Sequence, residues 1–385
     1  MHTLQNLQSI ISNDLVPVTE IDIRVLSEIS SEKPVYVSIY LPTPGKENDH
    51  LNKLFVESRI KAIKKVLPPS LLEQFEKTYS MIEKWLFEKP VSAEKGIIIF
   101  ACAACSFLQI YRIAVEPERY LVVDTSPFIL PLGRLQADFE DYGILLVDSR
   151  EAKFFCIRSD IIKEHKHLST DLMNKHKKGG WSQMRFNHLR KGAIKSFLSE
   201  VINNIHDTCD QFPTKGIVIA GPGEAKHQLI EMLPKEVKQK LLGVMDIPMN
   251  TVSYELVEAG DGILHEDAKS TSRRRAEEFR SEILRGGLAV HGLKAVKESL
   301  EQGKVNVLFI LQGLSVPGWI CERCHNLQAN AKVPKECKTC GEPILVVNVL
   351  EKLFELAQKT GAEVEFVEPE ELLDSTDIVA ALLRY

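Results

Sequence analysis

The chain has 385 residues, too many for one ordinary hydrophobic core and suited to two or three domains. Apolar residues make up 44% and charged residues 26%, which excludes a disordered or fibrous chain. The formal net charge is −5, so the molecule as a whole does not announce nucleic acid, and any RNA-binding reading must rest on local charge. Residues 1–16 lack the basic start and apolar core of a signal peptide. The uncharged run 96–111 is about one turn short of a bilayer span and holds the strand-like Ile97-Ile98-Ile99-Phe100, so it reads as buried β-structure. A cytoplasmic protein with no membrane partner is expected, its eight cysteines reduced unless they hold metal.

Three segments repeat one theme of strand, helical periodicity and strand. In the first, 34–41 reads as a strand ending at Pro42, helices follow over 48–66 and 71–87, and strands return at 96–100 and 120–124. The second opens with the apolar strand 142–148. Beyond a basic loop, Phe186, Leu189, Ala193, Phe197, Val201 and Ile205 recur at helical spacing and predict one apolar face of a long helix. A strand over 216–220 then runs into Gly221-Pro222-Gly223. The third segment opens near the polar stretch 270–275 and predicts a helix at 293–300, a strand at 305–310, a cysteine cluster, a helix at 349–360 and a strand at 364–367. The pattern predicts an α/β fold of three domains, 1–140, 141–274 and 275–385, with mixed sheets flanked by helices.

Cys321-Glu322-Arg323-Cys324 and Cys337-Lys338-Thr339-Cys340 are separated by twelve residues. Two such knuckles bring four thiolates tetrahedrally onto one Zn²⁺, and a site whose ligands all come from protein leaves no position for water or substrate. A structural zinc ribbon at about 315–345 is expected, stapling an insert with little core of its own. Gly341 suits the sharp turn of a knuckle, and His325, next to a ligand, has no necessary role. Cys102 and Cys105 share the two-residue spacing but sit in an apolar run without a second pair, so they read as core cysteines. Cys156 and Cys209 stand alone.

Between Lys163 and Lys195 lie nine Lys/Arg, four histidines and two acids. The centre reads Lys175-His176-Lys177-Lys178-Gly179-Gly180-Trp181-Ser182-Gln183-Met184-Arg185-Phe186, and Arg190, Lys191 and Lys195 follow on the predicted helix. A cationic segment with paired glycines is a footprint of phosphate-backbone binding, since glycine allows close backbone approach. Composition alone fits a solvated surface loop equally well, and the uneven charge within a net-acidic chain favours RNA. Gly221-Pro222-Gly223-Glu224-Ala225-Lys226 lacks the ending of a phosphate loop and reads as a strand-to-helix turn. No Ser-His-Asp or paired-carboxylate constellation stands out.

At this segment the sequence resembles the archaeal/eukaryotic class I peptide-chain release factors and Pelota, whose pattern is Lys-His, basic, Gly-Gly-Gln, Ser, Arg-Phe, Leu-Arg. Stretches 142–148, 216–223, 287–293 with 295–310, and 379–385 are similar to family segments in the same order, and the archaeal members carry a four-cysteine zinc insert at the place of 321–340. The first domain is similar more loosely, at 37–42 and 96–100. The resemblance implies a tRNA-shaped molecule in the ribosomal A site, beside P-site tRNA. Its first domain would face the decoding centre, its glycine loop the rRNA of the peptidyl transferase centre, and its last domain a translational GTPase of the elongation-factor-Tu type.

Two departures bear on function. Trp181 stands where the family has the glutamine that helps position the hydrolytic water, and an indole has one donor and no acceptor. The Asn-Ile-Lys-Ser decoding loop is missing; the nearest stretch, Ser58-Arg59-Ile60-Lys61-Ala62, reads as amphipathic helix. The expectation is a divergent, non-hydrolytic A-site binder with a hibernation, stress or rescue role, as in Pelota and the bacterial homologue Balon. The alternative is a divergent release factor that hydrolyses peptidyl-tRNA through the loop backbone. An RNA-binding module acting away from the ribosome is a third reading.

Overall fold

The computed structural model describes residues 10–31, 33, 35–43, 46–86, 88–171, 181–209, 215–321, 323–329, 332–368 and 378–385. The chain divides into two compact units, one formed by Met1–Asp138 with Thr271–Tyr385 and the other by Phe139–Ser270.

The first part of the larger unit contains β1 (Ile10–Leu15), α1 (Ile23–Ser27), β2 (Tyr36–Pro42), α2 (Lys46–Val66), α3 (Pro69–Leu86), β3 (Gly96–Cys102), β4 (Phe107–Ile113), β5 (Tyr120–Asp124) and α4 (Leu130–Asp138). The strands form one sheet in the order β1-β4-β3-β2-β5, antiparallel except where β1 runs parallel to β4. Val37, Ile39 and Leu41 share a face with Ile97 and Ile99 and pack with Phe75 and Ile82 of α3. The uncharged run 96–111 is therefore a hairpin of β3 and β4. It needs no charges because its strands are almost wholly buried.

The second unit contains β6 (Tyr142–Val147), β7 (Glu151–Arg158), β8 (Ile161–Ser169), α5 (Trp181–Cys209), β9 (Ile217–Ala220), α6 (Ala225–Met232), α7 (Lys235–Gln239) and β10 (Leu241–Met245), and the first part of α8 (Ser253–Arg285). The sheet order is β10-β9-β6-β7-β8, with β10, β9 and β6 parallel and the last two pairings antiparallel. Leu145 and Val147 pack with α5 on one face, while Tyr142, Ile144 and Leu146 pack with Leu256 and Leu264 of α8 on the other. Cover on both faces is why β6 and β9 read as continuous apolar runs rather than alternating ones.

The polar stretch 270–275 lies inside α8, and the division between the two units falls there, between Ser270 and Thr271. The remaining elements belong to the larger unit. These are β11 (Ala289–His291), α9 (Leu293–Glu301), β12 (Val305–Leu311), β13 (Pro317–Cys321), β14 (Leu327–Gln328), β15 (Ile344–Asn348), α10 (Val349–Thr360), β16 (Glu363–Val367) and β17 (Val379–Leu383). They form a mixed sheet β11-β17-β12-β16 and a small antiparallel sheet β14-β13-β15. The α/β architecture of mixed sheets with helices is as expected. Among the described residues no helix is long and apolar enough to cross a membrane.

Within the larger unit, α10 joins the two halves of the chain. Asn348 caps it, its side chain accepting from the Leu350 N–H, and Gly361 ends it in the left-handed region. Its Glu351, 1% exposed, accepts from the backbone N–H groups of Ile129 at 2.7 Å and Leu130 at 2.9 Å. These donors open α4 and have no partner within that helix. Burial pushes the Glu351 carboxyl well above the usual carboxylate range and Glu355 adds to this, while Lys352 and the two N–H groups oppose it. Lys352 Nζ lies 2.8 Å from both Glu355 and Ser126 and 3.6 Å from Asp124. Burial pulls its ammonium down, but the Glu355 and Asp124 carboxylates outweigh it and hold Lys352 charged.

Helix α4 crosses α10 at Gly133, where an added Cβ would lie 2.2 Å from the Phe354 ring. Phe354 is itself buried and has nowhere to retreat. Gly133→Ala is therefore expected to lower unfolding free energy by about 1–3 kcal/mol through overpacking. Glu351→Ala strands two buried donors and is expected to cost on the order of 2 to 4 kcal/mol. Both are read as shifts in the denaturant midpoint. Wild-type midpoints would show that the contact between α4 and α10 carries little.

Candidate metal centre and basic segment

The four cysteines of the small antiparallel sheet converge. Their sulfurs all lie within 4.8 Å of one another, with Cys321 Sγ 3.3 Å from Cys340 Sγ and Cys324 Sγ 3.6 Å from Cys337 Sγ. A tetrahedral ion with metal–sulfur bonds of about 2.3 Å needs sulfurs about 3.8 Å apart, so the set fits a thiophilic cation. The centre is built from one turn used twice. His325 N–H donates to Cys321 O and Gly341 N–H to Cys337 O, while Cys321 N–H donates to Asn326 O and Cys337 N–H to Glu342 O. The fifth residue of each turn has positive φ, 52° at His325 and 76° at Gly341.

His325 thus has a backbone role that residue-type reasoning missed: it occupies the left-handed position that Gly341 fills in the other knuckle. The Cys324 N–H aimed at Cys321 Sγ and the Thr339 N–H aimed at Cys337 Sγ lower both thiols, Cys337 to about 6. Such donors favour the thiolate form that a metal requires. Trp319 and Ile344 pack around the cluster. Replacing Cys337 with Ser is expected to abolish stoichiometric metal binding, and Co²⁺ in the wild-type protein should give the thiolate charge-transfer bands of a tetrahedral site. Octahedral spectra, or metal retained by Cys337→Ser, would overturn the four-thiolate reading.

The basic stretch 163–195 is not one loop. Its first residues form β8, the free edge of the second sheet, with Lys163, Lys166 and His167 exposed. Lys166 bonds Asn204 of α5, and His167 Nε2 lies 2.8 Å from Glu151. Lys175, His176, Lys177, Lys178, Gly179 and Gly180 lie outside the described residues. Trp181 is the first residue of α5. Along that helix Arg185, Lys191 and Lys195 are exposed, while Arg190 is half-buried and its Nη1 has no hydrogen-bond partner among the described residues. Of the predicted apolar face, the Phe186 side chain lies outside the described residues, and the rest holds only in the second half. Phe197, Val201 and Ile205 are buried, but Leu189 is 54% exposed and Ala193 also faces solvent. Among the described side chains, α5 packs on the sheet from Ile194 onward.

The Gly221-Pro222-Gly223 turn is a strand-to-helix turn without phosphate-loop chemistry. A Cβ at Gly221 would lie 1.9 Å from Val147 O, and its φ of 143° also requires glycine. Lys226, 1% exposed, turns inward: its Nζ donates to Gly221 O and Gly223 O, both at 2.9 Å, and to Asp246 Oδ1 at 2.5 Å. A phosphate cradle offers N–H groups and a free cation, whereas this turn offers carbonyls and spends its lysine on them.

A family model described as bacterial archaeo-eukaryotic release factor family 10 matches residues 127–259. Peptide chain release factor subunit 1 of Archaeoglobus fulgidus is 28% identical over 283 residues, covering 68% of this chain and 70% of that protein. The protein of the same name from Thermococcus sibiricus is 25% identical over 411 residues, covering 94% and 96%. That from Methanopyrus kandleri is 28% identical over 306 residues, covering 76% and 74%. These similarities mark the chain as a divergent relative of the archaeal peptide chain release factors, its middle matching the bacterial archaeo-eukaryotic release factor model.

Proposed function

We propose that this chain is a translation factor that occupies the ribosomal A site and reaches the peptidyl transferase centre without hydrolysing peptidyl-tRNA, in a hibernation, stress or rescue role. The observation that carries the reading is Trp181 in place of the family's glutamine, directly after Gly179-Gly180. Glutamine offers both a donor and an acceptor to an attacking water; the indole offers a single N–H and a bulk that crowds the pocket. What the segment retains is its address. Lys175, Lys177 and Lys178, then Arg185, Arg190, Lys191 and Lys195, supply the cations that an rRNA backbone attracts. The indole face suits stacking on a base of rRNA or of the tRNA acceptor end.

The three-domain organisation serves this reading, with a first domain toward the decoding centre and a last domain toward a GTPase of the elongation-factor-Tu type. The four cysteines hold a structural Zn²⁺, and the protein works in the cytoplasm. A second reading has one observation in its favour. The backbone N–H of residue 181 survives the substitution, so peptidyl-tRNA hydrolysis through the loop backbone is the alternative.

Purified protein is expected to co-sediment with vacant or stalled ribosomes at moderate salt, and Trp181→Gln is expected to bind as well as wild type. Peptide release from loaded ribosomes should be no faster than by the ribosome alone. Failure to co-sediment would overturn A-site binding, and release that is lost on changing Gly180 would establish the hydrolytic alternative.

A further inference from the structure

The β3–β4 hairpin turns through Cys102-Ala103-Ala104-Cys105, and the two cysteines have unlike surroundings: Cys102 is buried and Cys105 exposed. The sequence reading as two core cysteines is corrected for Cys105, which lies in the turn rather than in a strand. Cys105 N–H donates to Cys102 O at 3.3 Å, so the four residues form a hydrogen-bonded β-turn. The same N–H lies 3.2 Å from Cys102 Sγ, so that sulfur folds back over the turn toward its partner. Cα atoms at the ends of a β-turn lie within about 7 Å, a range that overlaps the roughly 4.4–6.8 Å spanned by disulfides.

The turn is held from both sides. Ser106 takes a φ of 51° to re-enter β4, and Ala103 N–H donates to Thr78 Oγ1 of α3 at 3.0 Å. Among the described residues, the one group able to hold a metal is the four-cysteine cluster, so this pair has no further ligands around it. Burial, then the neighbouring Cys105 thiol, pushes the Cys102 thiol up to about 12. Chemistry therefore starts at the exposed sulfur.

We propose that Cys102 and Cys105 are an oxidative modification site that closes to a reversible disulfide within the turn. A peroxide transfers one oxygen to Cys105 Sγ, giving a sulfenic acid and releasing water or an alcohol. Cys102 Sγ then attacks that sulfur, the sulfur–oxygen bond breaks, and the hydroxyl leaves as water with the Cys102 proton. The two thiols supply the two electrons that reduce the peroxide.

The site can be read apart from the metal cysteines, because cleavage after Lys95 and Arg112 releases residues 96–112 with only these two cysteines. The full-length, metal-loaded protein is treated with hydrogen peroxide, alkylated with iodoacetamide and digested. The expected peptide has lost two hydrogens and carries no alkyl group, and dithiothreitol before alkylation restores two. Cys105→Ser, a surface change that leaves the core intact, is expected to abolish the loss of two hydrogens. Cys102→Ser should leave a dimedone-reactive Cys105. Two alkylated cysteines at a peroxide dose that makes Cys105 of Cys102→Ser dimedone-reactive would overturn the proposal. So would disulfides that join separate chains.

Discussion

Two backbone N–H groups at the start of α4 find their acceptor more than two hundred residues away, in the carboxyl of Glu351. A helix start that is buried must have its donors met, and here no local side chain meets them. The Glu351 carboxyl does so at a site from which water is excluded. Lys352, itself held by Glu355, Ser126 and Asp124, opposes the burial that pushes this carboxyl up. Each member of the group answers a demand made by another. Removing one partner of such a buried network costs more than the net worth of the whole, because the remaining charges stay buried without it. The first 138 residues and the last 115 thus share one body although the entire second unit is inserted between them.

Much of the architecture was legible because apolar patterning and cover by neighbours coincide. Strands β6 and β9 are apolar on both faces since helices lie on each, and the Asn348 cap and Gly361 stop frame α10 in the manner of any short amphipathic helix. What escaped was whatever depended on distant partners. Glu351 and Glu355 carry the composition of a solvated helix face, and only the opposing α4 start and Ser126 make them interior residues. Strand β8 was hidden for the opposite reason. As the outer strand of its sheet it tolerates Lys163, Lys166 and His167, which makes it resemble a charged loop. The periodicity of α5 was real, but periodicity says nothing about where the surface it faces comes to an end.

The metal centre shows the same division between what residue type reveals and what geometry adds. The paired cysteine spacing picked out four thiols that could hold a metal, whereas the repeated turn around them is visible only in the backbone. Two unrelated residues, His325 and Gly341, adopt the same left-handed conformation because each knuckle must bring a fifth residue's N–H back to its first cysteine. Lys226 belongs with these cases. Its charge and its place after a glycine turn suggest a ligand-binding lysine, yet its ammonium closes the turn from within.

Among its described side chains, helix α5 grips the sheet from about Ile194, while Leu189 and Ala193 before it face solvent. Folding stability therefore has almost no stake in what the described side chains of the leading turns are. Substitutions there pass the test of foldability nearly for free and are judged by function alone. A protein built this way resembles a tool holder with an exchangeable bit: the body can be inherited unchanged while the leading turns are rewritten by drift or selection.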